Sequence, residues 1–176
     1  MKTTKYIITN FIFLFLISFS FQNKINTNQN NIIEINKDDA EKWLEDIFKC
    51  KNSNGLCYSI DKEEKICTKR FMDFLIDSNE IYGPTNLTDK ELTEAEIKYK
   101  KKWSKIYPLY TEEIWLFGRG QDDMENIKKV EITKISPLKY TVFINYDGDI
   151  KTTNEVTLVS TKNGYKIDYC KTKFLD

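Results

Sequence analysis

Near Gln121 the periodicity of the sequence changes, and that change limits the possible architecture more than any other feature. Before it, apolar residues recur at the three-to-four-residue spacing of a helix. After it they alternate with polar residues, as on a strand with one buried face. Val130 and Ile132 alternate in the first such run. Tyr140, Val142, Ile144 and Tyr146 share one face of "KYTVFINYD", and Val156 and Leu158 do so in the next run. The final run, "YKIDYC", sets Tyr165, Ile167 and Tyr169 against Lys166, Asp168 and Cys170. Asp147-Gly148 and Asn163-Gly164 separate the last three runs, and glycine supplies the positive φ that tight hairpin turns require. The C-terminal half is therefore predicted to be an antiparallel meander.

Upstream, Ala40, Trp43, Leu44, Ile47 and Phe48 fall on one helical face, with Asp38 and Glu41 as a capping pair, which predicts a helix from Asp38 to near Cys50. "NSNG", residues 52–55, supplies turn chemistry after it. A second helix is predicted from about Lys62 to Ser78, with Cys67, Phe71, Phe74 and Leu75 on its buried face. "GPTN" then breaks the chain. Thr88 and Glu91 form a full capping box for a third helix, whose stripe of Leu92, Ala95, Tyr99, Trp103 and Ile106 runs until Pro108 stops it. Helices followed by a meander predict an α+β domain, with N-terminal helices packed on one side of a curved antiparallel sheet.

The N-terminus carries Lys2 and Lys5, an apolar run from Tyr6 to Phe19, and then Ser18-Phe19-Ser20. This is the pattern of a secretory signal peptide, residues 1–20, cleaved after Ser20. A membrane anchor needs about 20 apolar residues, and Thr9-Asn10 and the polar stretch 22–31 shorten this run. No stable membrane anchor is expected after cleavage. Residues 21–36 read as a flexible lead, and residues 37–176 as a single domain with a periplasmic or extracellular destination.

In such a compartment Cys50, Cys57, Cys67 and Cys170 are expected to form disulfides. Three pairings remain open; the preferred one joins Cys50 to Cys57 and Cys67 to Cys170. With no histidine in the chain and no Cys-x-x-Cys spacing, no metal site or cofactor is expected. Basic and acidic residues balance at 27 each, so the chain lacks the basic field of a nucleic-acid binder. Its one basic run, "KYKKKW", is interleaved with acids and reads as a solvated helix face.

Together, "AEKWLEDIF", the "GQDD" segment before the strands and the closing "NGYKIDYC" resemble secreted bacterial domains of unknown function in the nuclear-transport-factor-2-like superfamily. The resemblance covers roughly residues 38–170. It implies a cystatin-like cone with one pocket between sheet and helices, and possible homodimers through the sheet. It also implies a role either as a binding domain or as an isomerase or dehydratase. The dehydratase mechanism depends on histidine, which is absent here.

"IWLFGRGQDD", residues 114–123, lacks both the phosphate-loop and the dinucleotide-loop patterns. Its glycines are expected to turn the chain, with Arg119 as a candidate anion contact. Without histidine no Ser-His or Cys-His nucleophile can form. Asp73 and Asp123 are the candidate buried bases, and Asp168 is expected to face solvent or the opposite sheet face. Tyr140, Tyr146, Tyr165 and Tyr169 are candidate binding residues whose competing role is core packing. The expected function is that of an exported, non-enzymatic domain binding a protein partner, by analogy of an immunity type. The alternative is a small-molecule pocket protein or weak isomerase-like enzyme using a buried aspartate.

Overall fold

The computed structural model describes residues 38–51, 53–118 and 126–175. The signal peptide, the lead, Arg119 and Asp123 lie outside them.

Helix α1 (Asp39–Asp46) begins where Asp38 accepts the Glu41 amide at 2.7 Å, and it buries Ala40 and Leu44. It ends before Cys50 because the chain folds back on itself there. Cys57 N donates to Phe48 O and Cys50 N to Gly55 O, at 2.9 and 3.2 Å. The Cys50–Cys57 disulfide clamps this turn, with the two Cα atoms 5.2 Å apart, and leads into the short strand β1 (Leu56–Cys57).

The expected second helix is two helices, α2 (Glu63–Ile66) and α3 (Lys69–Tyr82). The break has a physical cause. Cys67 is extended and bridges in parallel to Ile167, while Thr68 N donates to Ile167 O at 2.8 Å. A backbone bond to the sheet takes the place of an intrahelical one at Thr68, which then recaps the chain by accepting from Phe71 N. Helix α4 (Asp89–Trp103) starts on the capping box read from the sequence and stops well short of Pro108.

Four further strands complete one antiparallel sheet of order β1-β2-β3-β4-β5, curled into a half-barrel against the helices: β2 (Asn126–Ser136), β3 (Lys139–Tyr146), β4 (Lys151–Thr161) and β5 (Gly164–Leu175). The inner face carries Tyr140, Val142, Ile144 and Tyr146 of β3 opposite Val156, Asn154 and Thr152 of β4. Helix α1 lies across this face, touching β2 and β5, with Trp43 against Tyr165. Beside it Phe117 meets both Phe48 and Tyr58 edge to face, and the Phe48 and Tyr58 rings are tilted against each other. Such aromatic contacts add to the stabilisation from burial itself.

Two expectations for β5 are corrected. A bulge between Thr157 and Leu158 sets Ile167 opposite Leu158 and Tyr169 opposite Thr157, so Asp168 is an extra residue. One inserted residue exchanges faces beyond it. Cys170 therefore joins the inner face and Tyr169 leaves it. The second correction concerns the thiols: Cys67 and Cys170 are free and buried rather than bridged.

The "IWLFG" segment turns as a 3₁₀ element over Leu116–Gly118, with Phe117 fully buried at φ 59° and Gly118 at φ 77°. A Cβ on Gly118 would lie 3.0–3.1 Å from Thr152, Thr172 and Phe174. The glycine is thus required both by backbone conformation and by close approach to the sheet.

Candidate functional site

The outer face of β3, β4 and β5 is polar at Thr141, Glu155 and Thr157, and it is roofed on one side by the chain leaving α4. Between them lies a groove of about 640 Å³, open on one side, bounded by Ile106, Tyr107, Pro108, Ile135, Lys139 and Tyr169. Ile106 and Ile135 are 46 % and 65 % exposed, a large apolar presentation for side chains of their type. The Tyr169 ring stacks on Tyr107 at 5.6 Å.

Asp168 closes one end of the groove. Its extra position on the bulge turns it toward α3, where it is 8 % exposed and fully engaged. One carboxylate oxygen accepts from Thr68 Oγ1 at 2.7 Å and from Tyr107 Oη at 3.3 Å; the other accepts from Arg70 Nη2 at 2.5 Å. Arg70 Nε also donates to Tyr107 Oη at 3.0 Å, and its guanidinium lies over the Tyr107 ring. Burial raises the Tyr107 phenol above its ordinary pKa, and the Asp168 carboxylate pushes in the same direction. An acid held by three donors in this way is a tie between strand and helix.

The residues singled out from sequence separate into different roles. Asp73, one of the two candidate bases, is on the α3 surface, with both carboxylate oxygens accepting from Lys69 Nζ at 2.7 and 2.9 Å. Tyr140 and Tyr146 are core residues: their hydroxyls donate to Asp38 and to Phe117 O. Burial, and then the hydrogen bond to Asp38, raises the Tyr140 phenol pKa. Tyr165 is half-buried against Trp43. Of the four tyrosines, Tyr140 and Tyr169 line the groove. Asp168, Arg70, Tyr107, Ile106 and Ile135 were missed. The only sequence signal for them was Thr68 two residues before Arg70, an alternative helix start inside an apparently continuous helix.

Among the described residues no helix is long and apolar enough to cross a membrane, and no group of three or more His, Cys, Asp or Glu is placed to hold a metal ion. Comparison with protein families, with curated proteins and with solved structures returns no match.

Proposed function

We propose that this chain is an exported, non-enzymatic binding domain that engages a protein partner through the groove on the outer face of β3–β5. The observation that carries the reading is the open groove lipped by exposed Ile106 and Ile135, with its acid already neutralised by Arg70. Small-molecule sites enclose most of their ligand, whereas an open trough with apolar lips suits a protein surface that buries them.

Helices on a curled antiparallel sheet are consistent with a nuclear-transport-factor-2-like fold in general. Membership among its secreted bacterial domains is part of the same proposal. The Cys50–Cys57 bridge is consistent with an oxidising compartment, and we place the mature protein in the periplasm or outside the cell. An immunity-type role against an envelope-directed toxin fits a small exported binder, and a homodimer would be a special case of the same contact.

The test is affinity capture from envelope and culture fractions with the oxidised chain from residue 21, alongside the double variant Ile106→Glu/Ile135→Glu. A stoichiometric partner held by the first and lost by the second is the expected result. Equal capture by both moves the binding surface elsewhere. An apolar small molecule co-purifying in place of any protein would favour the pocket reading.

A further inference from the structure

We propose that the edge of β5 at Thr172 and Phe174, whose backbone groups have no backbone partner among the described residues, receives, by strand addition, an extended segment of a protein partner whose alternate residues are acidic. This surface is separate from the groove, and the argument for it is independent.

The direction of the backbone groups follows from the ladder. Leu158 N donates toward β3, to Leu138 O at 2.7 Å, so Leu158, Val156, Asn154 and Thr152 turn their backbone groups toward β3. Their β5 partners Ile167, Cys170, Thr172 and Phe174 consequently face away from β4. The first two are used: Ile167 O accepts from Thr68 N, and Cys170 O accepts from Tyr110 Oη. Thr172 and Phe174 have no backbone partner among the described residues. Two residues with four outward N–H and C=O groups form a short template for another strand.

The surroundings select its occupant. A groove of about 370 Å³ runs along this edge between Lys171–Phe174 and the Glu112–Trp115 segment. On the inner side, Phe174 is 54 % exposed beside Trp115 at 37 %, an unfilled apolar contact for alternate side chains of an added strand. On the outer side, Lys171 and Lys173 flank the free positions. Lys171 already has Glu155 opposite it on β4, and Lys173 has Thr153. An acid on the added strand would complete a cross-strand pair with each lysine. A second copy of β5 fits poorly: two-fold pairing about Thr172 sets Lys171 against Lys173 on both sides, and pairing about Lys173 sets it against itself. Glu112 and Glu113 stand on the far wall, where Glu113 Oε1 accepts from the Trp115 indole at 3.1 Å.

The probe is a capped heptapeptide alternating valine with glutamate, titrated into the isotope-labelled oxidised chain and followed by amide NMR. Its counterpart has lysine in place of glutamate, and a third version carries methylated backbone amides on one edge. The glutamate peptide is expected to bind, shifting the Thr172 and Phe174 amides and slowing their exchange; methylation abolishes this. Lys171→Glu/Lys173→Glu is expected to weaken the glutamate peptide about tenfold and to reverse the preference toward lysine. Equal binding of both peptides, unchanged Thr172 and Phe174 amides, absence of binding, or protection of those amides by self-association would each overturn the proposal. Ile106→Glu/Ile135→Glu is expected to leave peptide affinity unchanged, which separates a failure here from a failure of the groove.

Discussion

Asp38 is the residue that joins the start of α1 to the sheet. It accepts from the Glu41 amide, from Lys134 Nζ at 2.5 Å and from Tyr140 Oη. The bond from Lys134 leads in lowering its carboxyl from the ordinary value of 3.8 to about 2, followed by the Glu41 amide. A carboxyl depressed on folding contributes stability that is present above its unfolded pKa and is lost as pH falls through the folded one. Asp38→Asn keeps an oxygen for the cap and removes the charge. It is expected to lose up to about 1 kcal/mol at neutral pH, since both side chains of the Lys134 pair are partly exposed. Its urea unfolding curve should converge on that of the parent between pH 4 and 2, the window set by these two pKa values. A gap that persists at pH 2 would assign the effect to something other than this charge. Gly118 offers a second test at this scale. Gly118→Ala places a methyl against Thr152, Thr172 and Phe174 at a positive φ, and a loss of about 1–3 kcal/mol is expected in the same assay.

At the level of elements, the bulge in β5 couples strand to helix. It turns Asp168 out of the strand's alternation, and Asp168 holds the first turn of α3 through Thr68 and Arg70. Asp168→Asn is expected to cost about 1–3 kcal/mol, because a buried acceptor loses charge-assisted bonds. Arg70→Gln should cost less, its side chain being half exposed. In a double-mutant cycle the two losses are expected to be non-additive, and additive losses would mean that the pair does not couple β5 to α3. The starts of α1 and α4 were legible in the sequence from their caps, Asp38 and Thr88. The break before α3 was not, since Cys67 and Thr68 leave the helix to bond with Ile167, a hundred residues away in the chain. The turn between β2 and β3 was also silent, because Leu138 takes φ 60° without a glycine or asparagine to announce it.

For the whole molecule, covalent and non-covalent closure divide the work. The Cys50–Cys57 bridge spans a sequence separation of 7 and closes a small loop, so reduction is expected to cost about 2 kcal/mol and to lower the urea midpoint without unfolding the chain. Cys67 and Cys170 sit in the core, where burial pushes both thiols up, that of Cys170 to about 12. Native protein is therefore expected to resist iodoacetamide, and denatured, unreduced protein to take up two equivalents by mass spectrometry. Modification of either thiol under native conditions would contradict their placement. The sequence by itself determined the class of the fold. A helical period, a strand period, caps and turn glycines are local signals, each carried by residues within a few positions of one another. The preferred Cys50–Cys57 pairing was similarly favoured by a short separation. What only the tertiary structure decided is long-range: which face Asp168, Tyr169 and Cys170 occupy, which tyrosines are core, and that Ile106 and Ile135 share the lips of one groove. Those outcomes depend on register, and one inserted residue in β5, undetectable in a period of two, exchanged the faces beyond it.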